Sequence, residues 1–184
     1  MNRSRLTEVL GATPEQSARQ RESCGLLLVT IDHLSRLNEA YGFEVADEVI
    51  GAVAKRLRAK MHGGDHLGRF SGNKFAVILN GWAPEDMEKA AERLLAGVRD
   101  DAVRTRVGPV AVTVTIGGIT APRHGRDVQE ILDRAHETLT HVKAKRPGSF
   151  QAVDLVFRAS QRRKGALRTR LAGMRERHLS LSLS

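Results

Sequence analysis

A single cysteine, Cys24, in 184 residues leaves no partner for an intramolecular disulfide and no thiolate set for a metal. No apolar run reaches the length of a signal peptide or a membrane span, and Met1-Asn2-Arg3-Ser4-Arg5 leads straight into polar sequence. The expectation is a cytoplasmic chain with no membrane insertion, any anchor of a longer parent lying outside it. Gly117-Gly118 follows a strand pattern, but no G-x-G-x-x-G or G-K-[ST] accompanies it, so neither dinucleotide nor P-loop binding is supported. His62 and His66 lie four apart, yet Gly63-Gly64 breaks the helix that would align them on zinc. No nucleophile motif joins the serines, histidines and acids, and no internal repeat is visible.

What is there suffices for one domain with a core, since 41% of the residues are hydrophobic. The net charge of +9 is unevenly placed. Residues 158–177 hold eight bases against one acid, Glu176, which places +7 of the +9 in a short C-terminal stretch.

Taken in order, Leu6, Val9 and Leu10 suggest a short helix before Gly11 and Pro14. Gly25 to Asp32 is a continuous apolar run too short for a helix, hence a buried strand, with Asp32 placed to cap a helical turn reaching Asn38. Val45, Val49, Val53 and Leu57 share one face of a predicted helix over 44–60, with acids early and bases late. Gly68 to Leu79 reads as a hairpin around Ser71-Gly72-Asn73-Lys74, where Gly and Asn tolerate the positive φ of a tight turn. Phe75 to Leu79 is apolar throughout, as in a strand buried on both faces. Pro84 opens a helix with a stripe from Met87 to Val98, and Trp82 is read as packing at a strand end. Pro109 to Ile119 alternates cleanly as one strand. Asp127 with Glu130 opens a helix that ends at Lys143 and Lys145 before Pro147-Gly148, and Ser149 to Val153 makes a final edge strand. The order β-α-α-β-β-α-β-α-β predicts an α/β sandwich, helices on a mostly antiparallel sheet.

Ser71-Gly72-Asn73-Lys74-Phe75 resembles the Gly-Gly-(Asp/Glu)-Glu-Phe signature of the diguanylate cyclase (GGDEF) family. The likeness runs from residue 2 to residue 153. Asn2-Arg3 stands as a remnant of the family's opening turn, so the amino end looks trimmed. Leu26 to Asn38 matches the first strand and loop, where the family's Asp-x-Asp pair reads Thr30-Ile31-Asp32. Tyr41-Gly42, Asp47 and Thr113-Val114-Thr115-Ile116-Gly117-Gly118 continue the match.

The resemblance implies a nucleotide-cyclase-like fold and, in the family, synthesis of cyclic di-GMP from two GTP molecules. It places a guanine edge on Asn38 and Asp47, with Ser71, Gly72, Lys74 and Lys143 as further nucleotide-binding positions. A carboxylate accepts from the N1 and N2 donors of guanine, and an amide donates and accepts beside it. The family's two magnesium carboxylates correspond to Thr30 and Asn73, both neutral here, and the neighbouring acid is Lys74. Phosphoryl transfer rests on positioning and on charge neutralisation by Mg²⁺. The implied outcome is no catalytic residue, weak or absent Mg²⁺, no required cofactor and GTP as a ligand. Asp32 shares a strand face with Thr30 but sits roughly 6–7 Å along it, far for a ligand that must reach about 2 Å from a metal. The family's inhibitory Arg-x-x-Asp reads His62-Gly63-Gly64-Asp65, which keeps the acid and loses the bidentate guanidinium.

The basic stretch resembles the helix that links many GGDEF domains to a cyclic di-GMP phosphodiesterase (EAL) domain. The expected division is 1–23 remnant, 24–154 domain and 155–184 linker helix with a frayed Leu-Ser end, excised from a longer protein. Expected partners are GTP, an adjacent EAL domain and a second copy of the chain. Two competing readings are an active cyclase with an irregular metal site and a basic-tail binder of nucleic acid or anionic membrane; no nucleic acid is expected in the leading one.

Overall fold

The apolar run after Gly25 becomes the central strand of a five-stranded sheet. The computed structural model describes residues 23–79, 84–122 and 128–154. The expectations for residues 3–22, Trp82, the Asp127 cap and the stretch beyond 154 lie outside the described residues. In chain order the elements are β1 (Ser23–Ile31), α1 (Leu34–Tyr41), α2 (Phe43–Ala59), β2 (His66–Ser71), β3 (Lys74–Leu79), α3 (Pro84–Arg99), β4 (Val103–Thr105), β5 (Gly108–Val110), β6 (Val114–Pro122), α4 (Val128–Lys145) and β7 (Phe150–Asp154).

Strand order is β2-β3-β1-β6-β7, and the β1–β3, β1–β6 and β2–β3 pairings are all antiparallel. The centre of such a sheet is covered on both sides, so β1 and β3 read as unbroken apolar runs. Leu26 to Val29 are fully buried, and Phe75 to Leu79 nearly so. Leu27, Val29, Phe75 and Val77 share one face of the sheet with Val49, Val53 and Leu57 of α2 and Met87, Ala90 and Leu94 of α3. The other face carries α4, whose Ile131, Leu132, Ala135, Leu139 and Val142 are its buried stripe. Each fully buried aliphatic side chain here contributes about 1.5–3 kcal/mol of transfer free energy.

The alternating stretch 109–119 is not one strand. Val103–Thr105 and Gly108–Val110 form a separate two-stranded hairpin, and the sheet strand begins only at Val114. Pro109 has no N–H to give a ladder, and Gly108 at φ 105° supplies the left-handed corner that closes the turn after Thr105. Arg56 holds the link that leads from α3 into this hairpin. Its guanidinium donates to the carbonyls of Val98 (2.8 Å), Asp101 (2.5 Å) and Ala102 (2.9 Å).

At the hairpin tip Arg106 forms ion pairs with Glu44 and, at 2.9 Å, with Glu48 of α2. The backbone N–H of Arg106 also donates to Glu48 at 3.0 Å. That N–H bond, more than the guanidinium's own, holds the Glu48 carboxyl below the usual carboxylate range. A lowered carboxylate stabilises the fold fully above its unfolded pKa and loses that contribution as pH falls through the folded value. The β4–β5 tip is therefore expected to loosen from α2 in acid below the ordinary Glu range. Amide exchange at Arg106 and Val107 should accelerate there, and Glu48→Gln should show fast exchange at every pH.

Candidate nucleotide site

Where β1 ends beside the start of β3, the sequence predicted the remains of a metal corner. Thr30 is the register partner of both Lys74 on β3 and Thr115 on β6. Thr30 is buried, and its hydroxyl oxygen accepts from the Asn73 side-chain amide at 3.4 Å. The Asn73 carbonyl in turn accepts from the Ile31 N–H at 3.1 Å. The two residues standing where the family has its carboxylates thus bond to each other.

Asp32 does not cap α1. Its carboxylate is buried and accepts from the Thr113 hydroxyl at 2.7 Å and the Thr115 hydroxyl at 2.6 Å. Thr115 also accepts from the Gly148 N–H at 2.9 Å, which ties the network to the turn after α4. The position before α1 is taken by His33 in a left-handed conformation (φ 57°), without a side-chain cap bond. Each Asp32 oxygen accepts one hydroxyl, which holds the carboxylate in a network with Thr113 and Thr115. Among the described residues no three His, Cys, Asp or Glu side chains gather as a metal would need. A hydroxyl, an amide, a lysine and an engaged acid do not make a Mg²⁺ donor set, which calls for free carboxylates. The residues present do not fit the ion.

The turn itself differs from expectation. Neither Gly72 nor Asn73 takes a left-handed conformation. The hairpin instead absorbs its twist in a register shift between Arg69 and Ser71. Arg69 then clasps the turn, its guanidinium donating twice to the Gly72 carbonyl (3.2 and 2.7 Å). Ser71 and Gly72 are exposed at the tip, and Lys74 is half-buried below it.

Asn38 and Asp47 lie on consecutive helices that meet at Gly42. Among the described residues the Asn38 side-chain oxygen is buried without a hydrogen-bond partner, an acceptor that calls for a donor. Asp47 is exposed on α2 and lines a groove of about 460 Å³. Lys143 is exposed in the last turn of α4, on the face of the sheet that carries Thr30 and Lys74. His62 and Asp65 close the turn between α2 and β2. The His62 N–H donates to the Asp65 carboxylate at 3.1 Å, and the Asp65 N–H to the His62 carbonyl at 3.1 Å. The remaining Asp65 oxygen is buried without a partner among the described residues. Sequence reasoning missed the roles of Arg69, Thr113 and Thr115; only their contacts across the fold reveal them. No helix among the described residues is long and apolar enough to cross a membrane.

A mostly antiparallel sheet with α2 and α3 on one face and α4 on the other is a mixed α/β fold. The family described as "Diguanylate cyclase, GGDEF domain" matches residues 1–149, and the chain belongs to it. The diguanylate cyclase DgcP of Pseudomonas aeruginosa is 32% identical over 149 residues, covering 80% of this chain and 22% of that protein. MucR of the same organism, a bifunctional diguanylate cyclase and cyclic di-GMP phosphodiesterase, is 26% identical over 142 residues, covering 77% of this chain and 21% of MucR. The chain thus spans about a fifth of the length of these relatives. Among solved structures, the GGDEF domain of YfiN (TpbB) from Pseudomonas aeruginosa superposes with a TM-score of 0.78 at 24% identity, over 84% of this chain and 97% of that one. The diguanylate cyclase SiaD of that organism, solved with its activator SiaC, gives 0.77 at 26% identity, over 83% and 58%.

Proposed function

We propose that this chain is a GGDEF domain that keeps the nucleotide scaffold without the catalysis, a regulatory or interaction module of cyclic di-GMP signalling that works beside an EAL phosphodiesterase domain. The observation that carries this reading is the hydrogen bond between Thr30 and Asn73 at the metal corner, with Asp32 drawn into its own hydroxyl network. The base end is better preserved. The Asn38 oxygen lacks a donor, and a guanine N–H supplies one. The exposed Asp47 carboxylate accepts from the same edge. Lys74 stands beside Thr30, where a cation offsets phosphate charge without orienting a nucleophile.

The module on this reading takes GTP as a signal. MucR joins cyclase and phosphodiesterase in one chain, which supports a phosphodiesterase domain as the receiver. Calorimetry with GTP is the test. Wild type should bind, and Asn38→Ala and Asp47→Ala should each weaken binding about tenfold, the loss of one to two hydrogen bonds to a buried edge. Absence of heat with wild type, or indifference to both substitutions, would leave partner binding as the function.

A further inference from the structure

Among the described residues three large apolar side chains stand exposed, Phe43 at 76%, Tyr41 at 55% and Val107 at 50%. Single apolar residues scattered over a surface need no explanation, but a group gathered in one place marks an interaction site. These three gather. Tyr41 and Phe43 flank Gly42, where α1 gives way to α2. Val107 stands at the tip of the β4–β5 hairpin. Glu44, next to Phe43 in the chain, forms an ion pair with Arg106, next to Val107, so the junction and the tip meet. The Thr105 hydroxyl donates to the Gly108 carbonyl at 2.7 Å and accepts from the Val107 N–H at 3.3 Å, which fixes the tip. At Gly42 an added Cβ would meet nothing within 4 Å, so the backbone between the two rings is open to an approaching side chain. None of the three lines the groove that holds Asp47.

Charge selects the occupant. Residues 39–50 hold four acids, Glu39, Glu44, Asp47 and Glu48, and no base, in a chain of net charge +9. Arg106 pairs with Glu44 and Glu48, and four acids against this one base leave −3. The hairpin's other base, Arg104, lines a separate hollow with Arg56. Charges on neighbouring turns act together on an approaching surface, since the Debye length at physiological salt is about 8 Å. A nucleic acid or an anionic membrane is repelled here, and a second copy laid patch to patch sets like charge against like. A basic protein segment is attracted. Arginine has a further advantage, because its guanidinium stacks on exposed aromatic faces such as those of Tyr41 and Phe43.

We propose that the α1–α2 junction and the β4–β5 tip form a docking surface for a partner protein that presents an apolar side chain flanked by arginines. The apolar side chain seats over Gly42 between Tyr41 and Phe43 and reaches Val107. The arginines face Glu39 and the carboxylates of Glu44 and Glu48, whose charge Arg106 only half offsets. Apolar contact supplies affinity, and charge supplies the on-rate and the choice of partner. The surface goes beyond the nucleotide reading and stands whether or not GTP binds.

The test titrates the full chain, labelled for amide magnetic resonance, with two peptides blocked at both ends, Arg-Leu-Arg-Leu-Arg and Glu-Leu-Glu-Leu-Glu. The basic peptide should shift the amide signals of Tyr41 to Glu44 and of Arg106 and Val107 and saturate below about 1 mM, the range of weak specific contacts. The acidic peptide should bind at least about tenfold more weakly. Phe43→Ser combined with Val107→Ser, both at exposed side chains, should weaken the basic peptide at least about tenfold while the circular dichroism stays that of wild type. Val107→Ser alone should weaken it less. Saturating GTP should leave the peptide's affinity unchanged. No shift up to about 1 mM overturns the proposal. So does equal binding of both peptides, or full affinity in the double variant. Displacement of the peptide by GTP, or shifts confined to Leu67 to Phe75, would put the peptide in the nucleotide cleft and equally overturn it.

Discussion

Incubated with GTP and Mg²⁺ or Mn²⁺, the purified chain is expected to form cyclic di-GMP at least about a thousandfold more slowly than a family member with both metal carboxylates. The figure follows from what the metal supplies. Polarising the reacting phosphate is worth several kcal/mol in the transition state, and each ~1.4 kcal/mol is a decade in rate. Here the corner holds the Thr30 hydroxyl and the Asn73 amide bonded at 3.4 Å, and Lys74 is paired in register with Thr30. A lysine beside the corner further opposes a divalent cation. The triple substitution Thr30→Asp, Asn73→Glu, Lys74→Glu reverses each of these features. It should take up Mn²⁺ and quench the free-ion paramagnetic resonance signal, where wild type should leave that signal unchanged. Steady turnover by the unaltered chain, followed by chromatography of the nucleotides, would sink the proposed loss of catalysis. It would leave the GTP-binding measurement standing on its own.

Replacing Gly117 is expected to damage the fold more than any surface change. Gly117 lies on β6 under α4, and a Cβ placed there would stand 2.5 Å from the Leu139 nitrogen and 2.7 Å from its Cα. Those are backbone atoms of a helix, which cannot turn aside as a side chain can. The whole of α4 must lift, and Leu139 and Val142 with it. Overpacking at such a contact costs about 1–3 kcal/mol for a methyl and more for a branched side chain. Gly117→Val should therefore melt roughly 10 °C below wild type. The neighbouring Gly118→Ala is the control. Its Cβ would meet the Met87 sulfur and the Phe150 ring edge at 2.9 Å and Leu27 Cδ2 at 3.0 Å, all side-chain atoms free to shift. A smaller loss is expected there. Equal melting points for the two variants, by calorimetry or circular dichroism, would show that the α4 contact is looser than these distances state.

That pair of glycines also marks where sequence reading stops. In the chain they were legible as part of the family match and as lacking a dinucleotide motif, but not as a packing need, because the reason for Gly117 is a helix more than twenty residues away. The strands β1 and β3 and the helices α2, α3 and α4 were legible, since each carries a period long enough to announce itself. The β4–β5 hairpin was not. Its strands have three residues each, shorter than any pattern can resolve, and Pro109 to Val110 continued the alternation of β6 by chance. At the site, Thr30, Asn73 and Lys74 were found through the frame of the signature. The role of Asp32 was hidden, because its partners Thr113 and Thr115 stand 81 and 83 residues away. Arg69 escaped notice for a related reason. A basic residue before a turn looks solvated until its guanidinium is seen on the Gly72 carbonyl.

The tip of the β2–β3 turn is stitched to the middle of the sheet twice, by the Asn73 carbonyl to Ile31 and by the Asn73 amide to Thr30. Three residues beyond Ile31 the chain enters α1, the helix that bears Asn38. Any force on the tip is thus delivered along a few covalent bonds to the helix bearing Asn38. A corner built of these hydrogen bonds becomes a rigid link between whatever touches the turn and whatever occupies the cleft behind it.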